Sequence, residues 1–278
     1  MKFLIKTART AYVGLQTSLI YRMNFLLGFL SGFMTLAIQL IFWPSFYSAG
    51  TDFSYAVIKN TVIAGYNLRE ILTYSLLVYF IQRGNTMMNI GESIKQDIKN
   101  GELNLYLTRP TNYIWSKWVF AVSGQLVNLL ISFVVLLAVL ACIRIGFVLP
   151  ADPKQMVYII LFVILAYMLS FFIHCIIGLL SFWILETSSV SMILNATISI
   201  LSGAIFPLNY LDNSISALIK YLPFSYLAWF PAQVYLNKVS EEELLQNLLL
   251  CCCWILLLGV VLSKLWKRGL RRYAAFGG

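Results

Sequence analysis

The chain has 278 residues, 60% of them hydrophobic and only 11% charged, and carries a formal net charge of +9 at pH 7. A soluble domain carries about 25% charged residues, so water is not the main solvent of this chain. Its basic residues fall in short clusters beside apolar runs rather than along one polar face, which points to a membrane surface and away from nucleic acid.

Several apolar runs reach the roughly 20 residues that a helix needs to cross the hydrocarbon core, and they lack the alternation of an outer-membrane barrel. The expected fold class is therefore all-α: a polytopic membrane protein with six transmembrane helices in a single domain, 1–278. Charges recur through Arg9 and return at Arg22 before the first long apolar run, so the N-terminus lacks the pattern of a cleavable signal.

In chain order, residues 1–22 read as an interfacial amphipathic helix, with Leu4, Ala8, Tyr12, Leu15 and Leu19 on one face and Lys2, Lys6 and Arg9 on another. Span one is expected from Asn24 to Trp43, ending at Pro44 and containing the close-packing pair Gly28 and Gly32. Span two is placed between Ile63 and Gln82, span three from Val119 to Leu149, span four from Met156 to Leu185, span five from Val190 to Leu208, and span six from Leu244 to Leu265. Between spans five and six, residues 209–238 are too broken by Pro223 and Pro231 to form a clean span, yet too apolar for a solvated loop. They are read as short re-entrant helices on the outer side, with Tyr221, Phe224, Tyr226, Trp229, Phe230 and Tyr235 suited to a headgroup-level belt or to a gate.

Six spans put both termini on one side. A cytoplasmic N-terminus gives that side Lys2, Lys6, Arg9, Arg22, Arg83, Lys95, Lys99, Arg109, Lys117, Lys264, Lys267, Arg268, Arg271 and Arg272, and leaves the other side Lys59, Arg69, Arg144, Lys154, Lys220 and Lys238. This bias fits inside termini.

Catalytic chemistry is thin. No glycine is followed by lysine, so no Walker A loop is present, and there is no G-x-S-x-G elbow. The single histidine, His174, cannot build a site that needs two imidazoles, and with no acidic residue one turn away it reads as a hydrogen-bonded core residue. Cys142, Cys175 and Cys251 to Cys253 lie within apolar runs without metal or redox spacing. No metal site is expected. A channel or secondary transporter would bring intramembrane ionisable groups or paired broken helices, and neither is evident.

The exception to this apolar monotony lies at residues 90–113. Ile90, Ile94 and Ile98 form a stripe at i, i+4 and i+8, with Glu92, Lys95, Asp97 and Lys99 on other faces and Gly101 as the C-terminal stop. Leu103, Leu105 and Leu107 then alternate with polar residues as far as Arg109 and Pro110.

The run "DIKNGELNLYLTRPTNY" resembles the D-I-x-x-G-E-L-x-x-x-L-x-R-P signature of the membrane subunits of bacterial type 2 ABC exporters, in the six-span branch encoded separately from its ATPase. The matching positions are Asp97, Ile98, Gly101, Glu102, Leu103, Leu107, Arg109 and Pro110. "YRMNFL" at Tyr21 to Leu26 and "LSGAIFPLNYL…LPFSYLAWFPAQVYL" around span five agree with it. The resemblance implies a bacterial cytoplasmic-membrane permease in which 90–113 is a coupling segment docking on a separate ATPase. It assigns Ile94, Ile98 and Leu103 as packing anchors and Glu92, Lys95, Asp97, Lys99, Glu102 and Arg109 as charged contacts. It further implies two ATPase copies that bind ATP and Mg, a second permease copy or a related permease, and no cofactor on this chain itself. Spans one, two and five would line the route, with Gln39, Tyr74, Asn195 and Ser199 as candidate lining residues and Pro207, Phe224 and Trp229 as a candidate outer gate. The cargo is expected to be amphipathic.

Overall fold

The computed structural model describes residues 7–14, 16, 22–48, 61–85, 87–108, 112–142, 148, 152–184 and 188–273. The described chain is almost wholly helical. Its long elements are α1 (Arg22–Ser48), α2 (Leu68–Gly84), α5 (Tyr113–Cys142), α6 (Pro153–Leu179), α7 (Ser188–Leu201) and α10 (Glu241–Arg272). Between α2 and α5 lie α3 (Met88–Lys99) and the short α4 (Leu103–Leu107); between α7 and α10 lie α8 (Asn213–Lys220) and α9 (Trp229–Tyr235), interleaved with single 3-10 turns. Three of these elements contain stretches long and apolar enough to cross a membrane: Tyr113–Val134, Pro153–Phe182 and Glu241–Arg272. Within the fourth apolar helix, Ser189–Leu201 is shorter.

Local chemistry sets most boundaries. Ser240 and Glu243 form a capping box at the start of α10, whose first turn carries three acids and whose last turn carries Arg271 and Arg272, matching the helix dipole at both ends. Asp152 caps α6, with Pro153 in its first turn. Asn67 and Glu70 make the same reciprocal cap on α2.

Several expected boundaries move. Span two was expected to begin at Ile63, but Val62–Ile63 and Tyr66–Asn67 form a small antiparallel hairpin, β1 and β2, turned by Ala64 and Gly65 with positive φ; the helix begins only at Leu68. Pro44 does not end α1. The helix continues to Ser48 because Trp43 and Tyr47 are buried in the core, while the Ser45 hydroxyl donates to Ile41 O at 3.0 Å beside the proline's missing donor. Helix α7 stops at Leu201, seven residues before the expected end of its span at Leu208, where the chain turns through Ser202 and Gly203. The N-terminal segment is helical over 7–14, and a Cβ on Gly14 would lie 3.0 Å from Ser123 Cβ, so it rests against α5. The remainder of the expected interfacial helix at 1–6, 15 and 17–21 lies outside the described residues.

Packing divides into two clusters. One joins α1, α2, the first half of α6 and the α8–α9 segment, centred on Tyr66, Ile71, Leu72, Phe162, Tyr226 and Ala232. The other joins α3, the start of α5, the second half of α6 and the end of α10, centred on Ile94, Leu103, Cys175 and Leu179.

Candidate functional site

The segment singled out by its charge pattern folds as two helices bent at Gly101. Asn100 closes α3, and Gly101 takes φ +74°, a conformation that side-chain-bearing residues rarely adopt, so α4 leaves in a new direction.

Which face of this element meets which surface is settled by burial. Ile90, Ile94, Ile98 and Leu103 lie in the second core cluster, and Ile94 and Leu103 are 0% exposed. The three residues assigned above as anchors for a partner are therefore consumed within the chain, against α6 and its neighbours. The physical reason is proximity. A Cβ on Gly91 would stand 2.7 Å from His174 O, and one on Gly178 would stand 2.6 Å from Gly91 O. Only paired glycines allow the two helix backbones to come this close, and that approach draws the whole isoleucine stripe inward.

Charge ties the same element to α5. Lys117 Nζ lies 2.7 Å from Asp97 Oδ2 and donates to Ser93 Oγ at 2.6 Å, while Tyr113 OH donates to Asp97 Oδ2 at 2.6 Å. Both ionic side chains are 9% exposed, so the pair is a buried one, with a hydroxyl bonded to each member. Tyr113 also stacks on Trp266 of α10, ring centroids 5.0 Å apart. Lys95 is buried too and bonds Glu92 at 3.0 Å. Asp97 and Lys95, expected as contacts to another subunit, are thus turned inward, and Lys117 was not anticipated. The acid–base pair is twenty residues apart in sequence and has no local pattern that would announce it.

The face left open comprises Glu92, Gln96, Lys99, Asn100, Glu102, Leu105, Leu107 and Thr108. It is mixed in charge and carries two exposed leucines, Leu105 at 58% and Leu107 at 46%. Arg109 and Pro110 lie outside the described residues.

A second feature is a cavity of about 780 Å³ between α1, α2 and the end of α7. Gln39 and Ser199 line it, together with Phe42, Trp43, Tyr79, Gln82 and Phe206. None of its lining residues is charged. Tyr74 and Asn195 are not among them. Tyr74 is fully buried and donates to Gly203 O at 2.6 Å, holding the turn after α7, and Asn195 lies one turn below Ser199 on α7.

The α8–α9 segment packs against the turn that follows α7. Trp229 is buried, its Nε1 donating to Asn209 Oδ1 at 3.0 Å and its backbone N–H to Ser202 O at 2.9 Å, with Lys220 Nζ 5.2 Å from the ring centroid. Pro207 caps the 3-10 turn Leu208–Tyr210 that carries Asn209, and Phe224 packs half-buried beside the core. Gln155 of α6 donates to both Val234 O and Tyr235 O, capping α9. Burial raises the phenol pKa of Tyr210 and Tyr226, so both remain neutral hydrogen-bonding groups, Tyr210 toward Tyr47 and Tyr226 toward Asn247. Lys238 donates to Gly65 O at 2.6 Å and to Glu70 at 3.0 Å, clamping the β1–β2 hairpin to the same segment. Among the described residues no group of acids, cysteines and histidines is placed to hold a metal.

Long apolar helices, an uncharged cavity among them and an ordered two-helix element with a polar open face together define a multi-pass membrane protein built for transport. Residues 33–277 match the model of a family described as ABC-2 family transporter protein, and the chain belongs to that family. It is a permease-type membrane component of a type 2 ABC transporter system, to which the family attaches an ATPase partner. No curated protein matches the chain.

Proposed function

We propose that this chain is the permease subunit of an ATP-driven exporter of a bacterial cytoplasmic membrane. It pairs with a second copy or a related permease and is driven by two separate ATPase subunits, which bind ATP and Mg. Helices α1, α2, α5, α6, α7 and α10 serve as six spans, with both termini cytoplasmic. The α3–α4 element is the coupling segment. Its open face docks on the ATPase, and its inner face carries the resulting movement into α5 and α6. The observation that carries this reading is that division of labour: an amphipathic element bolted to the bundle by Asp97–Lys117 and Gly91–Gly178, with Glu92, Lys99, Glu102, Leu105 and Leu107 left facing out.

The cavity bounded by α1, α2 and α7 is read as part of the route. Its aromatic and aliphatic walls, relieved only by neutral groups such as Gln39, Gln82 and Ser199, suit a cargo with an apolar body and uncharged hydrogen-bonding groups. A ligand drives a two-state equilibrium only through different affinities for the two states, and here ATP does so on its own subunit.

The test is purification from the native host in mild detergent. The expected result is an ATP-binding subunit in stoichiometric amount and ATP hydrolysis after return to lipid. A well-folded permease that purifies alone, under conditions preserving other transporter assemblies, would reject the reading in favour of an ATP-independent channel or secondary transporter.

A further inference from the structure

Helix α10 changes character along one side. Between Glu243 and Lys264 it carries twenty consecutive uncharged residues, about 30 Å of helix, which is the thickness of a hydrocarbon core. On one side of this stretch Leu249, Leu256, Leu257 and Val260 are exposed by 50% to 70%. Over the last turns that same side becomes basic. Lys264, Lys267, Arg268, Arg271 and Arg272 are all exposed, and helical spacing places them within an arc of about 140°. The acids of α10, Glu241, Glu242 and Glu243, all lie at its other end.

These five cations differ from those of α3 and α5. Lys95 is held by Glu92 at 3.0 Å and Lys117 by Asp97 at 2.7 Å, whereas among the described residues no carboxylate lies within ion-pairing distance of the five on α10. The opposite side of the same turns is packed. Trp266 stacks on Tyr113 of α5, ring centroids 5.0 Å apart and planes 4° from parallel, and a Cβ on Gly269 would overlap the ring of Phe182 in the 3-10 turn that follows α6. Tyr113 in turn donates to Asp97 of α3 at 2.6 Å.

We infer that the exposed side of residues 264–272 is a binding site for the phosphate headgroups of anionic phospholipids in the leaflet at which α10 ends. Depth supports this, because Lys264 follows directly on the apolar length and a headgroup layer extends about 5–7 Å beyond the hydrocarbon core. Lys264, Lys267 and Arg268 cover about 6 Å of helix rise and occupy that layer, and the long side chains of Arg271 and Arg272 reach back to it. Charge supports it as well: a lysine meets a phosphate as a point charge and an arginine takes two of its oxygens at once. Continuity decides between a lipid and an acidic protein surface. The basic stripe prolongs an exposed apolar side, so one lipid can lay its chains along Leu256 and Val260 while its phosphate meets Lys264 and Lys267. Headgroups then hold the end of α10 from outside while Tyr113 and Phe182 hold it from inside, and α3 is held more firmly in an anionic leaflet. The inference rests on α10 crossing the membrane and does not require the exporter reading.

The experiment returns the full chain, with any subunit it retains, to phosphatidylcholine nanodiscs that contain a trace of photoactivatable phosphatidylglycerol or, in parallel, of photoactivatable phosphatidylcholine. Adducts are mapped by peptide mass spectrometry. Residues 263–272 are expected to take about fivefold more phosphatidylglycerol than phosphatidylcholine, and the excess is lost when Lys264→Gln, Lys267→Gln, Arg268→Gln and Arg271→Gln are combined. Unlabelled phosphatidylglycerol should also slow proteolysis within residues 88–99 of the native chain and leave the combined variant unaffected. Equal labelling of 263–272 by the two lipids in the native chain overturns the inference, and that comparison needs no variant to fold. An excess that survives in a folded variant overturns it too. Equal labelling in a native complex, with an ATPase subunit lost from the variant, overturns it by assigning the stripe to a protein partner. The exporter reading is tested separately, by whether the native chain retains an ATPase at all.

Discussion

Lys117→Met is expected to lower the stability of the permease by about 3–5 kcal/mol, the usual cost of removing one partner from a buried ion pair. The substitution keeps the approximate length of the side chain and removes the cation from 2.7 Å away from Asp97, leaving a buried carboxylate that still accepts from Tyr113 OH. Because Lys117 also holds Ser93, the contact between α3 and α5 loosens as a unit. The measurement is the thermal unfolding midpoint in detergent, with limited proteolysis within residues 88–99 as the local readout. Adding Asp97→Asn to Lys117→Met should recover most of the loss, since the uncompensated charge is then gone. An unchanged midpoint in Lys117→Met would show that the pair contributes nothing to the attachment of α3.

The second large effect separates the two faces of the α3–α4 element. Ile94→Asp places a carboxylate where the side chain is 0% exposed and packed beside Gly178. The cost of an unpaired buried charge is several kcal/mol, comparable with the roughly 5–15 kcal/mol that holds a folded domain together. The expected result is loss of the monodisperse permease itself. Leu105→Asp changes a side chain that is 58% exposed and should alter stability by no more than about 0.5 kcal/mol, while the ATPase no longer co-purifies. Size-exclusion chromatography of the two variants, with and without the ATPase, makes the comparison. A stable, monodisperse Ile94→Asp permease that merely fails to bind its ATPase would mean that Ile94 faces the partner after all.

The contrast between these two variants also shows how far the sequence could be read. Hydrophobic periodicity located α3 closely, from Ile90 to Lys99 against an observed Met88–Lys99, and the glycine at 101 marked its end, because both signals are local. The same periodicity could not say whose apolar surface would meet the isoleucine stripe. That depended on Gly91 and Gly178, which are 87 positions apart and belong to no motif. Asp97 was visible as a charge, but its partner Lys117 lay on another helix. Tyr74 was a candidate lining residue by resemblance; its hydroxyl is spent on Gly203 O, a contact 129 residues away. Pro44 was a reasonable stop signal, overridden by the burial of Trp43 and Tyr47 on either side of it. Of the four candidate lining residues, Gln39 and Ser199 border the space between α1, α2 and α7 while Tyr74 and Asn195 do not, because an isolated polar residue within an apolar run does not itself say whether it faces a gap or a neighbouring helix.

The central claim is that the open face of α4 meets an ATPase, and the most direct measurement is photo-crosslinking from position 105 in native membranes. A photoreactive residue in place of Leu105 is predicted to give a single major adduct with an ATP-binding subunit, absent when the same residue replaces Leu256, midway along α10 and 70% exposed. Adducts from position 105 with lipid alone, at a yield matching position 256, would contradict the account.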